Sequence, residues 1–434
     1  MQPNKKPISM KQKLLFLFSF LLAAVCSHAA TTVTVDGMVY SLSDTTATVA
    51  SQSKNNALAD VIIPDHIEYE GKSYYVTSIT TSAFSGCTAL TSISIPGSVT
   101  SIGNAAFSGC TALNNIIFED GEEPLSLGVN SSSQGLFYDC PIKSLYLGRT
   151  ISYITSDRYH TSPFNNKSEL SSITIGNNVS SIDRDAFYGC SALTSISIPS
   201  SVTSIGNYAF SGCTALNNVI FEDGEEPLSL GFNSSTQGLF YDCPLETLHI
   251  GRSISYPTYA TVYITYGYSP FYNKKTIKNI TFGKYFKDIP SYAFSGCSNI
   301  ESLILPDSLA TLGSNAFYGC SSLSSIDIPN SATFTSIGEL AFGGCSALTS
   351  ISIPSSVTSI GNKAFYHCTA LTSISIPSSV TSIGESAFYD CSSLKTVIIE
   401  DSETTLDMYR KVSGFGSYFY NCPIEYLYIG RNII

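Results

Sequence analysis

The chain has 434 residues, with 33 acidic against 22 basic side chains and a formal net charge of −11. Charged residues make up only 13% of it, about half the usual share, so hydroxyl side chains must carry much of the surface. The acidic balance, with no Lys/Arg run beyond residue 13, argues against nucleic acid or an anionic membrane as a partner.

At the N-terminus Lys5, Lys6, Lys11 and Lys13 precede an apolar run from Leu14 to Val25, followed by Ser27-His28-Ala29-Ala30. A basic start, an apolar stretch and small residues form an export signal, so residues 1–29 are expected to be a signal peptide cleaved near Ala29. The apolar run is too short for the ~20 residues that span a bilayer. Lipidation at Cys26 is the alternative; Val25 before it departs from a lipobox, so plain export to the extracellular space or cell surface is favoured.

Residues 30–80 are expected to form an N-terminal β cap with a degenerate first repeat. Val33–Tyr40 and Thr46–Val49 alternate like short strands, and Tyr69-Glu70-Gly71-Lys72-Ser73 suits a hairpin turn. Val61-Ile62-Ile63-Pro64 and Val76-Thr77-Ser78-Ile79 already imitate the units that follow.

From residue 81 to 434 one unit recurs about fourteen times, marked by a phenylalanine at 84, 107, 137, 164, 187, 210, 240, 271, 294, 317, 342, 365, 388 and 419. The base step is 23 residues, and longer units carry insertions. Ala112 to Tyr153 is nearly copied by Ala215 to Tyr256. In Ile93-Ser94-Ile95-Pro96 the alternation is period two, which predicts a short strand with both isoleucines inward. A 23-residue step fits a coil that comes once around and lays the next strand parallel to the last. Val99 and Ile102 read as a second inward pair and Gly103 as a turn. Asn104 to Gly109 is expected to form one helical or 3₁₀ turn, with Phe107 plugging the core. The fold class is therefore a repeat solenoid.

Twelve cysteines each lie three residues after a repeat phenylalanine; the units at Phe164 and Phe271 lack one. These gaps leave runs of three, three and six, and a run of three cannot pair completely with its neighbours. Free, buried thiols are expected. Ligands in a line, one per rung, do not converge on a tetrahedral metal, so no metal or other cofactor is expected.

Catalytic signals are absent from the sequence: no GxSxG, HExxH or phosphate-binding glycine loop occurs, and His66, His160, His249 and His367 are scattered. A non-enzyme is expected. Glu119-Asp120-Gly121-Glu122-Glu123 recurs as Glu222-Asp223-Gly224-Glu225-Glu226 and, more loosely, as Glu400-Asp401-Ser402-Glu403. Such runs could offer oxygens to calcium, but the spacing is not that of an EF-hand, and solvated acidic turns are the favoured reading. The outward position of each strand forms a ladder that is mostly small and polar, with larger residues at intervals, among them Tyr146, His249 and Tyr428. A long insertion adds Tyr256, Tyr259, Tyr263, Tyr266 and Tyr268. Exposed aromatics of this kind are candidate binding residues.

The unit Ala83-Phe84-Ser85-Gly86-Cys87 through Ile102-Gly103, repeated at 364–384, resembles the BspA-like class of leucine-rich repeats over about residues 60–434. The resemblance implies a right-handed leucine-rich repeat coil and an exported, often cell-surface protein of host-associated bacteria. It also implies a protein ligand, with adhesion to host matrix or other cells, and no shared catalytic residues. A glycan-binding module and a structural spacer are the rival readings; the absence of tryptophan weighs against the first.

Overall fold

Period-two alternation fits a strand because only there do alternate side chains share a face. The computed structural model describes residues 31–52, 57–128, 135–154, 162–231, 238–257, 269–408 and 418–434. In it Ser92–Ile95 is a strand whose Ile93 and Ile95 are fully buried. It pairs in parallel with Asn115–Phe118, which pairs with Ser144–Leu147 and so to Ser172–Ile175, in register throughout. A second parallel column runs beside the first: Ser78 faces Ser101, which faces Ser126, and Leu125 faces Ile151. Each turn of the coil thus lays down one strand in each of two columns, and the core lies between them. At 350–353 the first column has no strand, although Ile351 and Ile353 still point inward. The preceding unit is 25 residues long, and its two extra residues interrupt the ladder.

The helical or 3₁₀ turn expected around each phenylalanine is not formed; the segment is a run of turns. The backbone shows why. Ala105 and Gly109, two residues either side of Phe107, both have positive φ, 52° and 76°. A left-handed residue at each end leaves too few right-handed ones between them for a helix. The residue two after the phenylalanine has positive φ in every unit: glycine in seven, and Asp, Asn or His in the others, the last being His367. These are the residue types that tolerate that region.

The amides follow the same alternation. Those of Ala83, Ser85 and Cys87 close local turns onto Thr80, Ser82 and Phe84. Those of Ser82, Phe84 and Gly86 reach instead to the carbonyls of Asn104, Ala106 and Ser108 in the next rung, at 2.9, 2.7 and 2.8 Å. Half the donors that a helix would need are therefore spent on stacking.

Register in this column places the phenylalanines one above another. From Phe84 to Phe419 successive rings are stacked, with centroids 5.3–6.1 Å apart and planes within 30°. Beside them the twelve cysteines are free thiols. Each from Cys110 onward donates its S–H to the phenylalanine carbonyl of the preceding rung, as Cys110 does to Phe84 at 3.0 Å and Cys345 to Phe317 at 3.3 Å. In the two units without cysteine a half-buried lysine takes over the bond: Lys167 Nζ donates to the Phe137 carbonyl and Lys274 Nζ to that of Phe240. The column selects a donor, and the thiol is its most compact form.

At the start, β1 (Thr31–Val35), β2 (Met38–Ser43) and β3 (Thr46–Val49) form an antiparallel meander, and β4 (Asp60–Ile62) pairs in parallel with Ser92–Ile95 to begin the first column. Strand β3 pairs in parallel with β6 (Lys72–Ile79), which begins the second column. Strand β5 (His66–Tyr69) hairpins onto β6 through Glu70 and Gly71, both with positive φ, as a two-residue turn of matching twist requires. The last rung, Tyr426–Ile429, is exposed at all four positions.

Burial sets the response to alkali. It raises the thiols of Cys190, Cys297 and Cys368 from 9.0 to about 12. Because the folded values lie above those of the unfolded chain, this contribution to stability is intact below pH about 9 and is lost as the pH rises toward about 12. Lys167 and Lys274, lowered by burial, act in the opposite sense, but they are two against a column. Thermal unfolding under reducing conditions should show a midpoint that falls steadily above pH about 9. A midpoint flat to pH 12 would contradict this.

Candidate binding surface

Three stretches depart from the unit in the same way, and the structure shows each to be a module of three rungs. The first rung is ordinary, ending Ser94-Ile95-Pro96-Gly97. The second replaces the proline with an acidic pair, Phe118-Glu119-Asp120. The third ends Tyr146-Leu147-Gly148-Arg149. Register stacks the outward residues Ser94, Ile117 and Tyr146. Ser94 donates its hydroxyl to Glu119 at 2.5 Å, and Tyr146 donates its phenol to Asp120 at 2.7 Å. The arrangement recurs at Ser197, Glu222, Asp223 and His249, and again at Ser375, Glu400, Asp401 and Tyr428.

Beneath each acidic pair lies a buried arginine. Arg149 is fully buried, and its guanidinium reaches back two rungs to the carbonyls of Pro96 and Gly97, both at 2.8 Å. Arg252 holds Pro199 and Ser200 in the same way, and Arg431 holds Pro377 and Ser378. Burial draws each guanidinium below its ordinary value, and the nearby glutamate opposes this. The glycine before each arginine is required by close approach: a Cβ on Gly148 would lie 2.5 Å from the Asp120 amide nitrogen, and one on Gly251 2.4 Å from that of Asp223.

These contacts place the sequence candidates. Tyr146, His249 and Tyr428 share one position of the module on the outward strand face. The phenols of Tyr146 and Tyr428 donate to a carboxylate, which raises their pKa and keeps them protonated. His249 makes a 2.8 Å Nδ1 contact with the Thr281 hydroxyl and lies 3.7 Å from Asp223. Tyr256 is buried, and its hydroxyl donates to the Ser291 carbonyl at 2.7 Å, as Tyr153 does to Arg184. It is an internal tie. Tyr259, Tyr263, Tyr266 and Tyr268 lie outside the described residues. Among the described residues no group of three or more His, Cys, Asp or Glu is placed to hold a metal ion.

One feature was not anticipated from the sequence. The residue after the phenylalanine is tyrosine in Tyr366, Tyr389 and Tyr420, and the stacking of rungs brings these rings into a surface ladder. Tyr366 and Tyr389 are stacked at 5.4 Å and 22°, and Tyr389 and Tyr420 at 4.8 Å and 16°. Tyr420 is 55% exposed. His367 packs edge-on against Tyr366, and its Nδ1 pairs with Asp390 at 2.7 Å; Asp390 also accepts from Asn421. Recurring Phe-Tyr dipeptides were the available signal.

The two strand columns, the turn column and the stacked phenylalanines define a parallel β-solenoid built from leucine-rich repeats. Residues 77–163, 130–264, 264–395 and 331–434 match the BspA type leucine rich repeat region, and the chain belongs to this family. Among solved structures it is similar to a leucine-rich repeat protein from Bacteroides ovatus: 24% identity, 92% of this chain and 99% of that one covered, TM-score 0.46. It is also similar to a leucine rich cell surface protein from Faecalibacterium prausnitzii: 25% identity, coverage 86% and 96%, TM-score 0.32. A third is the pneumococcal vaccine antigen PcpA: 18% identity, coverage 91% and 86%, TM-score 0.32. No curated protein sequence matches the chain. Among the described residues no helix is long and apolar enough to cross a membrane.

The arginine tie gives a direct test. Arg149→Met keeps the volume but removes both donors: the Pro96 carbonyl keeps its bond from the Val99 amide, and the Gly97 carbonyl loses the guanidinium bond, at about 1–3 kcal/mol. Urea denaturation should show that loss, and Arg149→Lys, lacking the planar fork, should recover only part of it. Wild-type stability in Arg149→Met would contradict the assigned role.

Proposed function

We propose that the chain is an exported interaction module of the bacterial cell surface that holds a protein ligand of the host matrix or of other cells. On this reading residues 1–29 are the export signal, residues 30–80 cap the first rung, and residues 81–434 present the contact surface. Family membership supports a surface interaction role. The observation that carries the reading is the tyrosine ladder of Tyr366, Tyr389 and Tyr420. Rings locked against one another lose little rotamer freedom on binding, and a half-buried row of them ending in the exposed Tyr420 combines apolar contact area with hydroxyls, as in many protein-binding hot spots. Tyr146, His249 and Tyr428, fixed over their aspartates, supply polar contacts on the strand face.

Binding of the purified chain to a panel of matrix proteins and host cells tests the proposal. A ligand found this way should bind the Tyr366→Ala, Tyr389→Ala, Tyr420→Ala triple variant at least about tenfold more weakly, with an unchanged far-ultraviolet circular dichroism spectrum. Signal on a glycan array, lost when Tyr259, Tyr263 and Tyr266 are replaced, would favour the glycan-binding reading instead. Silence in both would favour a spacer.

A further inference from the structure

The corner between the second strand column and the turn column is built from two rows of side chains with glycine between them. In Ser359-Ile360-Gly361-Asn362 and Ser382-Ile383-Gly384-Glu385 the isoleucines are buried, while the serines and the residues after glycine reach the surface. The glycines let successive rungs approach closely: a Cβ on Gly361 would lie 2.6 Å from the Glu339 amide nitrogen, and one on Gly384 would collide with that of Asn362. With no side chain to fill it, the space between the rows is a groove of about 540 Å³ that runs over four rungs, from Ile337 to Asp407.

Charge sets this groove apart from the same corner elsewhere. After the glycine other rungs carry Asn104, Asn207 or Ser314. Here they carry Glu339 and Glu385, and Asp407 stands in register with Ser382 where the neighbouring rungs have serine. Among the described residues none of these three carboxylates accepts a hydrogen bond or meets a cation, whereas Glu119, Glu222 and Glu400 each hold a serine hydroxyl. No lysine or arginine lines the groove; the exposed Lys363 stands just beside it. The carboxylates do not converge to hold a metal ion, so cationic groups set apart from one another suit them. Glu339 and Glu385 are two rungs apart, about 10 Å at the spacing of parallel strands. A polyproline II segment returns to the same face every three residues, about 9 Å, whereas a β-strand does so every two, about 7 Å. Lysines three apart on a polyproline II segment therefore fall over both glutamates. Four residues further along the same two rungs come Tyr366 and Tyr389 of the tyrosine ladder, and aromatic rows of this kind receive the prolines of such segments.

We propose that the groove from Glu339 to Asp407 takes a basic, proline-rich segment of the protein ligand in polyproline II conformation, with its cationic side chains over Glu339, Glu385 and Asp407 and its prolines toward the tyrosine row. This rests on the reading of the chain as a holder of a protein ligand. A polyproline II backbone makes no internal hydrogen bonds, so its carbonyls are free to accept from the Ser359 and Ser382 hydroxyls and the Asn362 amide group that line the groove. The net charge of −11 steers a cationic segment toward the chain. Because the carboxylates lie at the surface, salt screens the attraction and weakens binding.

The test measures binding of a fluorescein-labelled peptide of three Lys-Pro-Pro repeats to the purified chain by fluorescence anisotropy, at low and at physiological salt. Glu339→Gln with Glu385→Gln should weaken binding at least about fivefold, with an unchanged circular dichroism spectrum. Glu122→Gln with Glu123→Gln removes the same charge from an exposed acidic turn and should leave the affinity within about twofold. Lys363→Ala, which takes away the one cation beside the groove, should strengthen binding. Equal losses in the two double variants would mean attraction by net charge alone and would overturn the site. No binding of the peptide, equal affinity for spermidine, which offers ammonium groups without a backbone, or tighter binding of a peptide with its lysines two apart would overturn it as well. No matrix protein or host cell enters this measurement, so a failure of the groove and a failure of the adhesion reading are told apart.

Discussion

The constraint on which the rest depends is the division of backbone amides in the turn column. One amide closes its own turn and the next bonds to the rung above, so each turn is completed only by its neighbour. That alternation requires left-handed backbone at fixed positions, which selects glycine, asparagine, aspartate and histidine at the second residue after each phenylalanine. It also holds successive rungs in register, and register in turn brings like residues together. Phenylalanines stack, hydroxyls line up, and a carbonyl left facing each cysteine position finds a thiol or an ammonium.

A structure repeating at this spacing tolerates irregularity only where something else ties the rungs. The three-rung modules show how. Where proline gives way to an acidic pair, the outward carboxylates are held by Ser, Tyr or His, and an arginine on the far rung spans the irregular one to grip the rung before it. Burying a guanidinium carries a desolvation cost. Here it is offset by hydrogen bonds to two carbonyls of the far rung and by a glutamate of opposite charge.

Much of the fold was legible in the sequence. The inward isoleucines, the parallel stacking and the plugging phenylalanines follow from period and polarity, and free cysteines follow from their spacing. The helical turn was misjudged because a window of about six residues with a central phenylalanine is compatible with helix until the backbone signs are known; glycine at 86 and 109 was visible, but Ala105 and Leu340 at positive φ were not. The site was harder to read. Tyr146, His249 and Tyr428 were singled out one by one, yet their equivalence needs the register that stacks them over aspartates. The Tyr366, Tyr389 and Tyr420 ladder depends on three adjacent rungs sharing a residue type, a relation between units that inspection of one unit does not reveal. The places of Arg149 and Lys167 carry no mark in the sequence, because enclosure of a cation depends on carbonyls two rungs and one rung away.

If each turn is completed by its neighbour, disruption should stay local. Hydrogen exchange of the Phe210→Ala variant measures this most directly. The account predicts lost protection at the amides of the rungs around residues 187, 210 and 240, with wild-type protection restored within one or two rungs on either side. Uniform loss of protection from residue 84 to 388 would contradict it.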